Sequence, residues 1–222
     1  WQMLPDGGGL DLYFTCLKMF ADAAKRNNKP WWATLLSVGH YEYCCPTEDD
    51  FRWQINTAAA LGCKGLAWFF MYMREPHDNY RVPPIDEHWE RTQTFDWMSR
   101  QNRVFANSVG PRLAQLDFQR AWFCGETYGG WPAGDKIDSP LVRGAKAKYP
   151  VILSEFKDAA GNDYLCVVNN SQRVSGQVVV TIQGKPKLHR VGWENKDSEA
   201  RLWFDDANPS NPATIVGPWL AP

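Results

Sequence analysis

Residues 46–75 read PTEDDFRWQINTAAALGCKGLAWFFMYMRE. Thr47 is a good N-cap residue, and Asp50 stands three positions on, where a capping-box acid belongs. Glu48, Asp49 and Asp50 place negative charge in the first turn, which the helix dipole favours. Phe51, Ile55, Ala58, Ala59 and Leu61 recur at helical spacing. Gly62 can take the left-handed position that ends a helix. Gly65 to Tyr72 is then an apolar run without alternation, the pattern of a strand buried on both faces. A capped helix, a glycine turn and such a strand make half of a βαβ unit.

Upstream, Leu10 to Asn27 carries Leu12, Phe14, Leu17, Phe20 and Ala23/Ala24 at the spacing of one helical face, closed by Asn27 to Pro30. Trp31 to Val38 is again apolar and predicts a second buried parallel strand. Helix, strand, helix, strand in this order means a parallel sheet with crossover helices. Residues 74–85 form a polar, Pro-rich loop, and a further helix is expected from Glu90 to Ser108, stopped by Gly110-Pro111.

After Leu116 the pattern changes to short β-rich runs such as PVILSEFKD, DYLCVVNNS and GQVVVTIQG, separated by Gly, Asn and Asp turns. Short strands so closely spaced predict an antiparallel sandwich. The chain therefore divides into an α/β part, 1–115, and an all-β part, 116–222.

Composition narrows the function. The net charge of −1 makes no electrostatic case for nucleic acid or an anionic membrane surface. No apolar run has the length needed to span a bilayer. The chain carries 12 Trp, which serve as large core side chains or as flat faces for stacking on a ring-shaped ligand. The six cysteines show no CxxC and no repeated spacing, and the four histidines lack ligand spacing, so no metal or disulfide framework is expected. No phosphate-binding Gly-rich loop precedes a helix and no GxSxG elbow is present, so no cofactor is implied. Asn169-Asn170-Ser171 matches a glycosylation sequon, but in a turn these residues are most simply turn chemistry.

Three strings carry a resemblance: KPWWATLLSVG, the PTEDD…GLAWFF run above, and RVPPIDEHWERTQTFDWMSRQNRVFANSVGPRLAQL. Together they resemble the end of a clan-A glycoside hydrolase barrel, of the β-galactosidase-like, family-42 type. The pair Phe156-Lys157-Asp158 and Tyr164 to Ser171 resembles the small β-sandwich that follows such barrels. The resemblance implies the last strands and helices of a (β/α)8 barrel followed by a small antiparallel sandwich. It implies a carbohydrate substrate, and a partner in the form of a missing N-terminal barrel half or a partner chain. Both ends of the sequence look cut, the last residues GPWLAP stopping as though a strand were beginning.

The resemblance also places a nucleophile at the end of strand seven. That end is Ser37-Val38-Gly39-His40-Tyr41-Glu42, where Glu42 is the only carboxylate and stands later than the family's nucleophile would. Retaining glycosidases need two carboxylates about 5–5.5 Å apart, inverting ones about 6.5–9.5 Å; the implied acid/base belongs to a strand outside this sequence. Glu42 is thus the candidate catalytic residue, against the plainer reading of a solvated loop acid. His40, Tyr41, Tyr72, Arg74 and Glu75 are the candidate substrate contacts, Arg74 and Glu75 being equally readable as a salt bridge. His77, Asp78 and the Glu126-Tyr128-Trp131 loop are further loop positions of interest. The rival expectation is a non-catalytic carbohydrate-binding or structural module that has lost its carboxylates.

Overall fold

The structure is a computed structural model that describes residues 10–73, 79–127, 134–184, 186–192, 194, 196–199 and 213–220. The first element is helix α1 (Leu10–Asn27), followed by β1 (Trp32–Leu36), the short β2 (Gly39–His40), α2 (Glu48–Ala60) and β3 (Gly65–Phe69). Next come β4 (Tyr80–Arg81), α3 (Gln93–Ala106) and α4 (Gly110–Ala114). The remainder is extended: β5 (Asp117–Cys124), β6 (Val142–Lys146), β7 (Val151–Lys157), β8 (Asp163–Asn169), β9 (Gly176–Ile182), β10 (His189–Val191), β11 (Asp197–Glu199) and β12 (Ala213–Leu220).

The expected βαβ unit is present. Strands β1 and β3 pair in parallel, from Trp32 opposite Gly65 to Leu36 opposite Phe69, with α2 between them in sequence. Thr47 caps α2 with a full capping box: its Oγ1 accepts from the Asp50 N–H, and an Asp50 carboxylate oxygen accepts from the Thr47 N–H at 2.8 Å. Gly62 ends the turn with a left-handed φ of 85°. A Cβ there would lie 2.6 Å from Cβ of Phe118, so this close approach requires glycine.

The barrel expectation is corrected. Among the described residues the strands form small separate sheets and no closed barrel. Among the described strands only β1 and β3 pair in parallel; the sheets β5-β7-β8 and β12-β9-β6, and the pairs β2/β4 and β10/β11, are antiparallel. Two parallel strands cannot curl into a barrel wall. Nor are they buried on both faces: Trp32 is 70% exposed, and Thr34 and Ala67 also face solvent. Toward its end, the outer edge of β1 is met by a helix side chain rather than a strand. The Ser37 N–H donates to Phe69 O, so the alternate residue Leu36 points its backbone groups away from β3. Those groups are taken by buried Gln54 of α2, whose Oε1 accepts from the Leu36 N–H at 2.7 Å and whose Nε2 donates to Leu36 O at 3.0 Å.

The apolar surface goes elsewhere. Tyr13, Phe14, Leu17 and Ala21 of α1 pack with Leu35, Trp53 and Ile55, and with Phe123, Ile152 and Val168 from the β5-β7-β8 sheet. A second cluster joins the two three-stranded sheets through Trp122, Val151 and Leu153 on one side and Val142, Val178, Val180 and Ile182 on the other. Burial alternates along β9, the period-two signature of a half-buried strand. The junction after α4 is fastened by Lys64, whose ammonium donates to the carbonyls of Leu113, Ala114 and Leu116. Residues 200–206 (ARLWFDD), a further short run expected to be extended, lie outside the described residues.

Candidate functional site

The parallel strands carry their loops to one common end. Buried Ser37 ties the two strand ends together, its N–H donating to Phe69 O and its hydroxyl to Phe70 O, both at 2.9 Å. Just beyond, β2 pairs with β4, so the loop after β1 folds onto the loop after β3. Gly39 makes this possible, since a Cβ there would stand 2.6 Å from Sγ of Cys45.

His40 emerges from β2 with its ring stacked on Tyr80, centroids 4.2 Å apart and planes 14° from parallel. Tyr41 packs edge-on against the same imidazole at 4.3 Å. Phe70 meets Tyr80 edge-on at 4.8 Å, Tyr72 meets Phe70 at 6.2 Å, and Trp89 stacks on Tyr72 at 5.3 Å. The rings of Tyr41, His40, Tyr80, Phe70, Tyr72 and Trp89 thus run as a continuous ladder across this end. Tyr41 is 62% exposed, so the ladder opens to solvent at its His40 end.

Arg81 holds the His40 end in shape. Its guanidinium donates to the carbonyls of Tyr41 and Tyr43 at 3.0 and 2.8 Å and to the Asn79 side chain at 2.7 Å. The His40–Tyr43 turn is closed by the Tyr43 N–H donating to His40 O at 2.9 Å, with Tyr41 at a left-handed φ of 49°. Asn79, Val82 and Trp89, all in the loop region after β3, also have positive φ. Non-glycine residues in this conformation carry backbone strain, which persists where the surroundings over-determine it and clusters at functional sites.

The predicted site residues divide three ways. His40, Tyr41 and Glu42 share one tight turn, as their adjacency requires. Tyr72 belongs to the same ladder through Phe70. Arg74 and Glu75 lie outside the described residues, as do His77, Asp78, Tyr128 and Trp131. Glu42 is exposed, and no described residue hydrogen-bonds or ion-pairs with its carboxylate. Glu126 is likewise exposed. Trp68 of β3 packs edge-on against Phe51 of α2 at 5.1 Å.

Sequence reasoning passed over Tyr80, Arg81 and Trp89. Trp89 had a readable signal, a large apolar ring among acids in the string DEHWE. Tyr80 and Arg81 did not, because their role depends on a two-residue strand pairing across the site. Cys44 adjoins the turn, but burial pushes its thiol up to about 11, with the Asp50 carboxylate adding to the shift. It is therefore protonated at neutral pH and supplies no thiolate nucleophile. Among the described residues no group of three His, Cys, Asp or Glu is placed to hold a metal ion. Asn169 of the sequon is buried; its amide donates to Val174 O and its oxygen accepts from the Ser171 N–H, so it serves the turn.

Comparison with protein-family models, with curated proteins and with solved structures gave no match to this chain. Among the described residues, no helix is long and apolar enough to cross a membrane.

Proposed function

We propose that this protein acts on carbohydrate, with the turn at His40–Glu42 as its substrate-facing element and glycosidic-bond hydrolysis as the reaction it serves. The supporting observation is the convergence of both parallel strand ends on one aromatic ladder that leaves Tyr41 and Glu42 open to solvent. Ligands of parallel α/β sheets bind beyond the carboxyl ends of the strands. Apolar ring faces beside a polar rim suit the faces and hydroxyls of a sugar. In this reading Tyr41 and Tyr72 contact the ring, and His40, clamped on Tyr80, donates to or accepts from a hydroxyl. Glu42 is one of the two carboxylates that glycoside cleavage requires. Its partner carboxylate is supplied from outside the described residues.

A second reading, sugar binding without cleavage, is favoured by the state of Glu42. Nothing buries it and no described group pairs with it. A catalytic carboxylate is usually tuned by burial or by a charged neighbour.

One experiment separates the readings. The protein and its Glu42→Gln variant are assayed on a panel of nitrophenyl glycosides and polysaccharides, with folding checked by circular dichroism. Hydrolysis lost in a folded variant supports the catalytic assignment. Hydrolysis kept in the variant removes Glu42 from the pair. Saccharide binding without turnover supports the binding reading, and neither binding nor turnover overturns both.

A further inference from the structure

We propose that the outer face of Trp89 is a stacking platform for a pyranose ring, a second sugar contact at the far end of the ladder from His40. The proposal rests on the carbohydrate reading above and assigns the residue that sets its second point of contact.

Trp89 is 72% exposed, yet its ring is not loose. Tyr72 stacks against one side at 5.3 Å with an interplanar angle of 22°, which orients the indole and leaves its other face to solvent. The backbone beneath is built to hold it. Oδ1 of Asp86 accepts from the N–H groups of His88 and Glu90, both at 2.9 Å. The Trp89 N–H donates to Asp86 O at 3.1 Å, and the Asp86 N–H to Glu90 O at 3.0 Å. Ile85, just before this turn, bridges to both Tyr72 and Arg91, which fixes the turn against the end of β3.

That turn puts Trp89 at φ 64°, a conformation suited to glycine or asparagine and unfavourable for a bulky side chain. Among the described residues such an indole packs on Tyr72 with one face and remains largely open to water. The chemistry around the ring narrows the ligand. Glu87, His88 and Glu90 are exposed beside it and can accept from hydroxyls. The nearest cation in sequence, Arg91, lies over the Phe95 ring at 4.5 Å. Two flanking carboxylates disfavour phosphates and other anions. A neutral ring with apolar faces and a hydroxyl rim fits, and a pyranose is such a ring.

The test is tryptophan-fluorescence titration with gluco-, manno-, galacto- and xylo-oligosaccharides on the wild type, Trp89→Ala, Trp89→Gly and Trp32→Ala. Glycine suits the positive φ, so Trp89→Gly keeps the experiment decisive if the alanine variant fails to fold. Trp32→Ala removes an equally exposed indole on the strand itself. The expected result is binding of at least one series, weakened about tenfold or more in both Trp89 variants and within about twofold of wild type in Trp32→Ala, about 1.4 kcal/mol corresponding to each tenfold step. Wild-type affinity retained in a folded Trp89 variant overturns the platform and leaves the carbohydrate reading standing. No saccharide binding by the wild type overturns the reading and the platform with it. Binding of tetramethylammonium in place of any saccharide, lost in Trp89→Gly, overturns the pyranose assignment in favour of a cation.

Discussion

At the scale of single residues, Gly62 shows how little freedom the βαβ turn leaves. Its φ of 85° excludes most side chains, and any Cβ would strike the Phe118 side chain at its root. Gly62→Ala is therefore expected to lower stability by about 2–4 kcal/mol, from left-handed backbone strain plus overpacking. Urea denaturation with an unchanged m-value checks it, and a loss under about 1 kcal/mol would show that the turn adjusts. The buried thiols make a second prediction. Burial pushes Cys124 up to about 11 and Cys166 up to about 12, from an ordinary 9.0. Unfolded chains lose these protons near pH 9 while the folded protein keeps them. The folded state then binds more protons, so its stability is full below about pH 9 and falls as pH rises toward 11–12. Urea midpoints measured from pH 7 to 11 should decline above pH 9, and Cys166→Ala should flatten the decline. A parallel decline in the variant would assign it to other groups.

At the scale of elements, α2 is fastened at both its start and its middle. Thr47→Ala removes the capping box and is expected to cost about 1 kcal/mol, read as a lower thermal midpoint with the fold retained. Gln54→Leu is expected to cost more, about 2–4 kcal/mol, because it strands the N–H and C=O of Leu36 in a buried setting. A neutral Gln54→Leu would mean that water reaches that strand edge. The contrast marks what was legible beforehand. Thr47 and Asp50 act on each other three residues apart, and Gly62 ends the helix through its own positive φ, so the cap and the turn could be read from the string; the approach of Phe118 to Gly62 could not. The limits of helix α1 at Leu10 and Asn27 were equally open to reading, but its buried face was not: Phe14 and Leu17 are buried as expected, whereas Leu12 and Phe20 are exposed and Tyr13 and Ala21 are buried. Gln54 carries no such local signal, and only the tertiary arrangement shows it buried at 2% exposure with its amide bonded to the edge of β1. The same limit misled the reading of β1. A continuous apolar run does not say whether both faces find partners, and here Trp32 does not. Strand β6 went unread because Arg143 and Gly144 interrupt its pattern; its pairing with β9 sustains it. At the site, the His40–Glu42 turn was visible as a strand end, whereas the ladder through Tyr80 to Trp89 exists only once β2 and β4 pair.

At the scale of the whole molecule, the core ignores the boundary that composition draws near residue 115. Phe14 of α1 meets Phe123 of β5 edge-on at 5.0 Å, and both touch the cluster that holds Ile152 and Val168. Polar bonds cross the same line. Trp53 Nε1 donates to Asn170 Oδ1 at 3.1 Å, Gln172 Nε2 to Asp50 Oδ1 at 2.7 Å, and the Lys25 ammonium to Gln119 O at 2.8 Å. A core shared in this way should melt as one unit, since loss of either side strips apolar surface from the other. Urea unfolding followed by tryptophan fluorescence and by far-ultraviolet circular dichroism is expected to give coincident single transitions. Phe123→Ala should shift both together, by about 3–5 kcal/mol. The alternative has a distinct signature: two transitions, with the variant moving only the one that reports on the β-rich half. That outcome would mean that the residues before and after 115 fold independently and that the contacts across the line are docking rather than core. A single shifted transition would instead mean that α1, α2 and the β5-β7-β8 sheet stand or fall together around the one cluster that Phe14 and Phe123 share.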